Sequence, residues 1–289
     1  MANANKGVLI AQITDTHVGF EPEAGEEEFN FLRFRMAIDH LLEQHVQPDA
    51  LILRGDIADK VRSESYERGK QAVAKCPFPV HVMTGNHDNR ENLLAAFSDC
   101  PTVGGFAQYA LEFDGLRVLC LDTLQHGRHG GAFCEIRTSW LTSQLAAHPD
   151  TPTLILMHHP PVIVGIDWMD PRPQEAWIER FSQAVEGHSQ LAGICRRQLH
   201  RTVSTTRGSI PVSVTAAVAP AGSLDLRPVN FHEADNRGIV DAEPPGYGLH
   251  RWKDGSLVTH YQPVGDWTRL ATYSENLIPM MEALDREKN

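Results

Sequence analysis

The stretch Val82-Met83-Thr84-Gly85-Asn86-His87-Asp88 places an amide, an imidazole and a carboxylate in three consecutive positions directly after an apolar run. These groups can bind metal ions or move protons. Gly, Asn and Asp are also ordinary turn residues, so the tetrapeptide by itself admits a plain corner. The arrangement recurs, however. Asp15 and His17 follow the apolar run Val8–Ile13, and Asp56 follows Ala50–Leu53 through Arg54-Gly55. His158 and His159 follow Thr153–Met157, while Gln198 and His200 follow Leu191–Cys195. Carboxylate, imidazole and amide oxygen without thiolate suit Mn, Fe or Zn. On an extended segment the Asp15 and His17 side chains would point the same way and grip one ion. Asp56, with two oxygens, could bridge two cations about 3.5–4 Å apart, which would lower the pKa of a shared water from about 15.7 towards about 7.

These clusters need elements to carry them. The apolar runs have strand length and alternate with amphipathic stretches over about 31–47, 64–74 and 89–97, as in an α/β domain. Tyr109–Phe113 and Arg117–Leu121 flank Asp114-Gly115 and predict a β-hairpin, so the sheets should be mixed. Helices are expected near 138–147, 173–186 and 277–286, and further strands at 210–214, 248–252 and 257–262. In α/β sheets the loops leaving strand C-termini gather on one edge, where the five clusters would converge. The Gly- and His-rich loop Gln125–Cys134 reads as a mobile connection, with His126 and His129 as loop residues.

Composition narrows the function classes. The 289 residues carry a formal net charge of −11, which argues against a broad nucleic-acid or anionic-membrane footprint. No apolar run approaches the roughly 18 residues of a membrane span, and the first residues lack a signal-peptide centre. Five scattered cysteines form no C-x-x-C pair and read as reduced thiols, so a cytoplasmic protein acting on a small molecule is expected.

The ordered set Asp15-x-His17, Gly55-Asp56, Gly85-Asn86-His87-Asp88, His158 and x-x-x-His200 resembles the calcineurin-like metallophosphoesterases over roughly residues 7–262. Size and spacing are similar to the class III cyclic-nucleotide phosphodiesterases and bacterial glycerophosphodiesterases. The resemblance implies a four-layer αββα sandwich and a metal-dependent phosphodiesterase acting through metal-bound hydroxide. It implies two divalent or trivalent ions (Mn, Fe or Zn), one held by Asp15, His17, Asp56 and His200, the other by Asp56, Asn86, His158 and position 198. His87 would contact the phosphate and protonate the leaving group, Asp88 would orient His87, and His159 would stand behind His158.

Two positions depart from the family pattern. Its last motif is G-H-x-H, and this chain has Arg197-Gln198-Leu199-His200, so Gln198 would offer an amide oxygen and bind the second ion weakly. Gly187-His188-Ser189-Gln190 precedes its strand rather than following it and is set aside. Arg54 stands where the family has a small residue. The arginines at 196, 197 and 201 read first as a solvated face, and second as a guanidinium facing the phosphate. A phosphomonoesterase of the same fold and a metal-impaired binding protein are the alternatives, and the charge disfavours a nuclease. Segments 18–35, 124–135 and 162–175 are expected to wall the pocket, with the acidic segment 231–245 overhanging it. The apolar tail 263–289 should pack on its own domain or on a second subunit of a homo-oligomer.

Overall fold

The computed structural model describes residues 6–159, 161–172, 174–196 and 200–288. The first part of the chain alternates strand and helix: β1 (Val8–Thr14), α1 (Phe29–Leu42), β2 (Ala50–Arg54), α2 (Ser63–Val73), β3 (Val80–Met83) and α3 (Arg90–Ala96). The expected hairpin follows as β4 (Tyr109–Phe113) and β5 (Leu116–Leu121), with Gly115 at φ +70° in its turn. Then come α4 (Glu135–Ala147), β6 (Thr153–Met157), α5 (Ala176–Val185) and β7 (Leu191–Arg196). The remainder holds β8 (Val203–Arg207), β9 (Ile210–Val214), β10 (Ala221–Gly222), β11 (Val240–Asp241), β12 (Gly246–Lys253), β13 (Ser256–Pro263) and α6 (Ile278–Glu287).

Two mixed sheets result, ordered β13-β12-β1-β2-β3 and β4-β5-β6-β7-β9-β8. Alternation along each strand decides the layering, since successive side chains take opposite faces. In β1, Ala11 and Ile13 pack with α1–α3, while Val8 and Ile10 turn towards the second sheet. In β5 and β6, Val118, Cys120, Leu154 and Leu156 meet that face, and Leu119, Leu121, Ile155 and Met157 pack with α4 and α5. The strands are therefore apolar on both faces, and the product is the four-layer αββα sandwich. Each fully buried aliphatic side chain in these layers contributes roughly 1.5–3 kcal/mol.

The first helix is shorter than its periodicity predicts, ending at Leu42 rather than near residue 47. Pro48 disfavours helical backbone at Gln47, whose side-chain amide instead donates to the carbonyls of Leu42 and Gln44, freed at the helix end. Strand β8 was not anticipated. It is a half-buried edge strand paired to β9, and its Ser and Thr content hides it from a hydrophobic pattern. Among the described residues no helix is long and apolar enough to cross a membrane. The tail beyond β13 leaves Trp267, Leu270, Tyr273 and Met280 exposed.

Candidate metal centre

Parallel pairing of β1, β2 and β3, and of β6 and β7, brings their C-terminal ends to one edge of each sheet. The ladder continues past the strands: the Asp15 N–H donates to Gly55 O (3.1 Å), His17 N–H to Asp56 O (2.9 Å) and Gly55 N–H to Met83 O (3.1 Å). Asp15, His17, Asp56 and His200 all adopt left-handed backbone, at φ +51°, +43°, +47° and +53°. A non-glycine residue there costs about 1–3 kcal/mol, and these four share the conformation with only Val61, Asn236 and Asp254 among the described non-glycine residues. This corrects the expectation of an extended D-x-H: Asp15 and His17 converge through two left-handed residues after β1 has ended. Two glycines make room. A Cβ on Gly85 would lie 2.2 Å from Asp56 Oδ1, and one on Gly55 would lie 2.3 Å from His158 Nδ1.

Asp56 sits between two clusters. Its Oδ2 is 3.6 Å from His17 Nε2 and 3.4 Å from His158 Nε2, and its Oδ1 accepts the His87 backbone N–H at 2.8 Å. His158 Nε2 lies 3.0 Å from Asn86 Oδ1, and His200 Nε2 lies 3.2 Å from Asp15 Oδ1. Three groups of potential ligands follow, with donor atoms within 4.8 Å of one another: Asp15/His17/His200, His17/Asp56/His87 and Asp15/Asp56/His158. His17 Nδ1 is 3.0 Å from Asp59 Oδ1, and His200 Nδ1 is 2.7 Å from Pro220 O. With Nδ1–H donating outward, each ring presents its Nε2 lone pair to the centre, an arrangement that orients imidazoles for a metal.

The electrostatics fit a cation. Burial pushes the Asp56 carboxyl well above the usual carboxylate range, and the nearby Asp15 and Asp88 carboxylates add to the shift. Burial also holds the His158 imidazole well below its ordinary value, with the Arg54 guanidinium among the charges pushing the same way. A neutral imidazole beside carboxylates crowded out of water is a donor set that binding a cation would relieve.

Several expectations change. Asp88 does not touch the His87 ring. Its carboxylate accepts from the backbone N–H groups of Ile57, Ala58 and Gly85 and from the Tyr66 hydroxyl, tying the β2 and β3 loops together. The carboxylate against the His87 ring is Asp59, with Oδ1 3.3 Å from Nδ1. Its hydrogen bond pushes His87 up to about 9, against the opposing pull of burial. Asp59 follows Asp56 by three positions, a spacing the sequence displays but that reads as ordinary loop polarity.

His129 also enters the site: its Nδ1 lies 3.3 Å from Asn86 Nδ2, and its ring is 5.6 Å from that of His87. Its neighbour His126 is exposed, as expected for a loop residue. His159 is buried behind His158, with Nδ1 2.8 Å from Thr123 Oγ1. Arg201 turns away to Gly222 O and Glu243 Oε1, so it does not face the centre. Gln198 and Arg197 lie outside the described residues. A cavity of about 530 Å³ opens on His17, Asp56, Asn86, His87, His129 and His200, and segment 168–172 forms part of its wall.

Comparison with known proteins agrees with this geometry. The family model described as calcineurin-like phosphoesterase matches residues 8–189. A relative from Arcobacter nitrofigilis named "Probable glycerophosphodiester phosphodiesterase GpdQ" is 30% identical over 265 residues, covering 89% of this chain and 94% of its own. The 3',5'-cyclic adenosine monophosphate phosphodiesterase CpdA of Vibrio vulnificus is 25% identical over 274 residues, covering 94% and 96%. In fold, the purple acid phosphatase PPD1 from yellow lupin superposes with a TM-score of 0.62 at 12% identity, over 91% of this chain and 53% of that one. The match from β1 to the turn before β7 spans the exits of β1, β2, β3 and β6, and the chain belongs to the calcineurin-like phosphoesterase family.

Proposed function

We propose that this protein is a binuclear metal-dependent phosphodiesterase acting on small diesters of the glycerophosphodiester or cyclic-nucleotide type. Members of its family use a divalent metal centre, and the clustered Asp and His groups could hold one. The observation that carries the reading is Asp56, whose Oδ2 faces His17 Nε2 on one side and His158 Nε2 on the other. One cation would be held by Asp15, His17, Asp56 and His200, and a second by Asp56, Asn86, His158 and Gln198, the ions being Mn, Fe or Zn. Bound there, they supply Lewis acidity, neutralising phosphoryl oxygens and acidifying water.

The chain's own groups do the rest. Asp59 occupies His87 Nδ1, which leaves a proton on Nε2 for the departing ester oxygen. As water oxygen bonds to phosphorus and its proton passes to solvent, the ester P–O bond breaks, His87 Nε2 gives its proton to the departing ester oxygen, and an alcohol and a phosphomonoester remain. Asn86, set between His158 and His129, positions its amide oxygen. The relatives' names support diester chemistry. Charge and cysteine usage support a cytoplasmic setting without nucleic-acid partners, and the exposed apolar tail supports pairing between copies.

The test is hydrolysis of an aryl phosphodiester beside the matching monoester, by chelated protein titrated with Mn, Fe, Zn or Co. Diester turnover rising to two equivalents of metal is expected. Faster monoester turnover would move the assignment to a phosphomonoesterase. No turnover with at most one ion retained would favour the non-catalytic binding protein.

A further inference from the structure

His17, His87 and His200 face a second cavity besides the one described, of about 500 Å³, and its walls differ sharply from those of the first. It is lined by Phe20, Phe29, Trp168, Met169, Pro220 and Val240. Trp168 and Met169 line both chambers and form their common wall. On the far side the first chamber presents His129, Arg172 and Glu175. The centre is thus flanked by one almost wholly apolar chamber and one of mixed character, in which charged groups stand beside Trp168, Met169 and Trp177.

The apolar walls are built to stay in place. Phe20 carries Lys60 over its ring at 5.8 Å, and Phe29 carries the Arg33 guanidinium at 5.2 Å. The dividing segment is pinned because Asp170 accepts the N–H groups of Val164 and Gly165, both at 2.8 Å, and Asp167 accepts that of Val229 at 2.7 Å. Phe20, Phe29 and Val240 nevertheless remain 53%, 47% and 59% exposed, apolar surface left open by the described residues. Polar groups on these walls are committed elsewhere: Asn30 donates to His17 O, and Asp59 engages His17 and His87. Glu21 stands exposed at the mouth. A hydroxyl-rich arm entering here would give up water with few partners in return, whereas a flat ring would gain aromatic contact.

We infer that the apolar chamber receives an aromatic arm of the diester while the mixed chamber, with its charged groups, receives a hydroxyl-bearing one, so the preferred substrate is a diester with two unlike arms. This rests on the phosphodiesterase reading above. Trp168, Phe20 and Phe29 are then the residues that set specificity for the first arm.

The experiment compares kcat/KM for benzyl glyceryl, ethyl glyceryl and diglyceryl phosphate with metal-loaded protein. The alcohols released are similar in acidity, so differences report binding of the arm rather than leaving-group strength. The benzyl ester is expected to exceed the ethyl ester at least about tenfold, the scale on which apolar pockets discriminate, with the diglyceryl ester no better than the ethyl. Phe20→Ala and Phe29→Ala should each bring the benzyl-to-ethyl ratio towards one. Thermal melting identifies any variant that fails to fold, leaving the other to decide. Equal turnover of benzyl and ethyl esters, preference for the diglyceryl ester, or a ratio retained in folded variants would overturn the chamber assignment and leave the phosphodiesterase standing. No turnover of any ester would bring down both.

Discussion

Replacing Asp59 by Asn tests the link between the candidate metal ligand His17 and the candidate acid His87, because one oxygen, Oδ1, reaches Nδ1 of both rings at 3.0 and 3.3 Å. Asn preserves shape and its amide oxygen can still accept both hydrogen bonds, but it carries no charge. Charge-assisted hydrogen bonds contribute about 1.5–3 kcal/mol against about 0.5–1.5 for neutral ones. The loss at each imidazole is therefore about 1–2 kcal/mol, and His87 should hold its proton about tenfold less tightly. Metal affinity at the His17 side should fall about 10–100-fold, the usual cost of removing a group that orients a ligand.

The separating assay uses saturating metal and two leaving groups. An alkyl diester needs a proton on the departing oxygen; starting at about 9, His87 stays largely protonated at neutral pH after that tenfold loss, so Asp59→Asn should lower its kcat about tenfold through the lost anchoring of the ring, and more steeply at alkaline pH. A nitrophenyl diester departs without that proton and should lose about twofold at most. Equal losses on both substrates, with unchanged metal affinity, would refute the reasoning and leave Asp59 a packing residue.

Gly85→Ala should abolish tight metal binding and cost more than about 100-fold in activity, since the new Cβ would fall 2.3 Å from the Asp56 backbone nitrogen and must displace the Asp56 carboxylate; metal retention on gel filtration checks it, and an unaltered metal content would contradict it. His250 predicts acid lability. Burial lowers this imidazole to about 3, where its ring nitrogens lie 3.1 Å from Gln12 Oε1 and 2.9 Å from Thr259 Oγ1. The unfolded chain takes up that proton below about pH 6.5 and the folded chain does not, so stability is complete above that pH and is lost as pH falls towards 3, by about 2 kcal/mol at pH 5. Urea titrations of wild type and His250→Gln at pH 8 and 5 should show a smaller pH dependence in the variant, and equal dependence would remove His250 as a cause. Truncation after Gly265, which keeps the buried Val264, should leave activity intact and reduce self-association, read by analytical ultracentrifugation, because the removed arm exposes Trp267, Tyr273 and a 93% exposed Leu270; an unchanged sedimentation coefficient per mass would exclude the arm as a contact.

The central strands were legible because each is a short apolar run, and burial on both faces of the two sheets demands such runs, whereas the polar edge strand β8 and the two-residue β10 and β11 carry no such signal. The residues at their exits were legible for a related reason: Asp15, Asp56, Asn86, His158 and His200 are too polar for a core and each directly follows one. Helix ends were less so, since Gln47 and Pro48 close α1 through side-chain hydrogen bonding that periodicity does not display.

What the chain could not reveal by itself depends on contacts between segments distant in sequence. Asp59, rather than the adjacent Asp88, faces His87 because the β2 loop folds over the β3 loop, while Asp88 is used up by four donors. His129 differs from His126 only in which side of a glycine-rich loop meets Asn86. The left-handed turns at Asp15, His17 and Asp56 are held by hydrogen bonds between loops distant in sequence. Sequence alone determined the donor types and their order along one sheet edge, because strand periodicity is local. Tertiary structure decided which donors touch, which carboxylate serves which imidazole and how two unlike chambers share the centre, because those depend on loops from both sheets meeting in space.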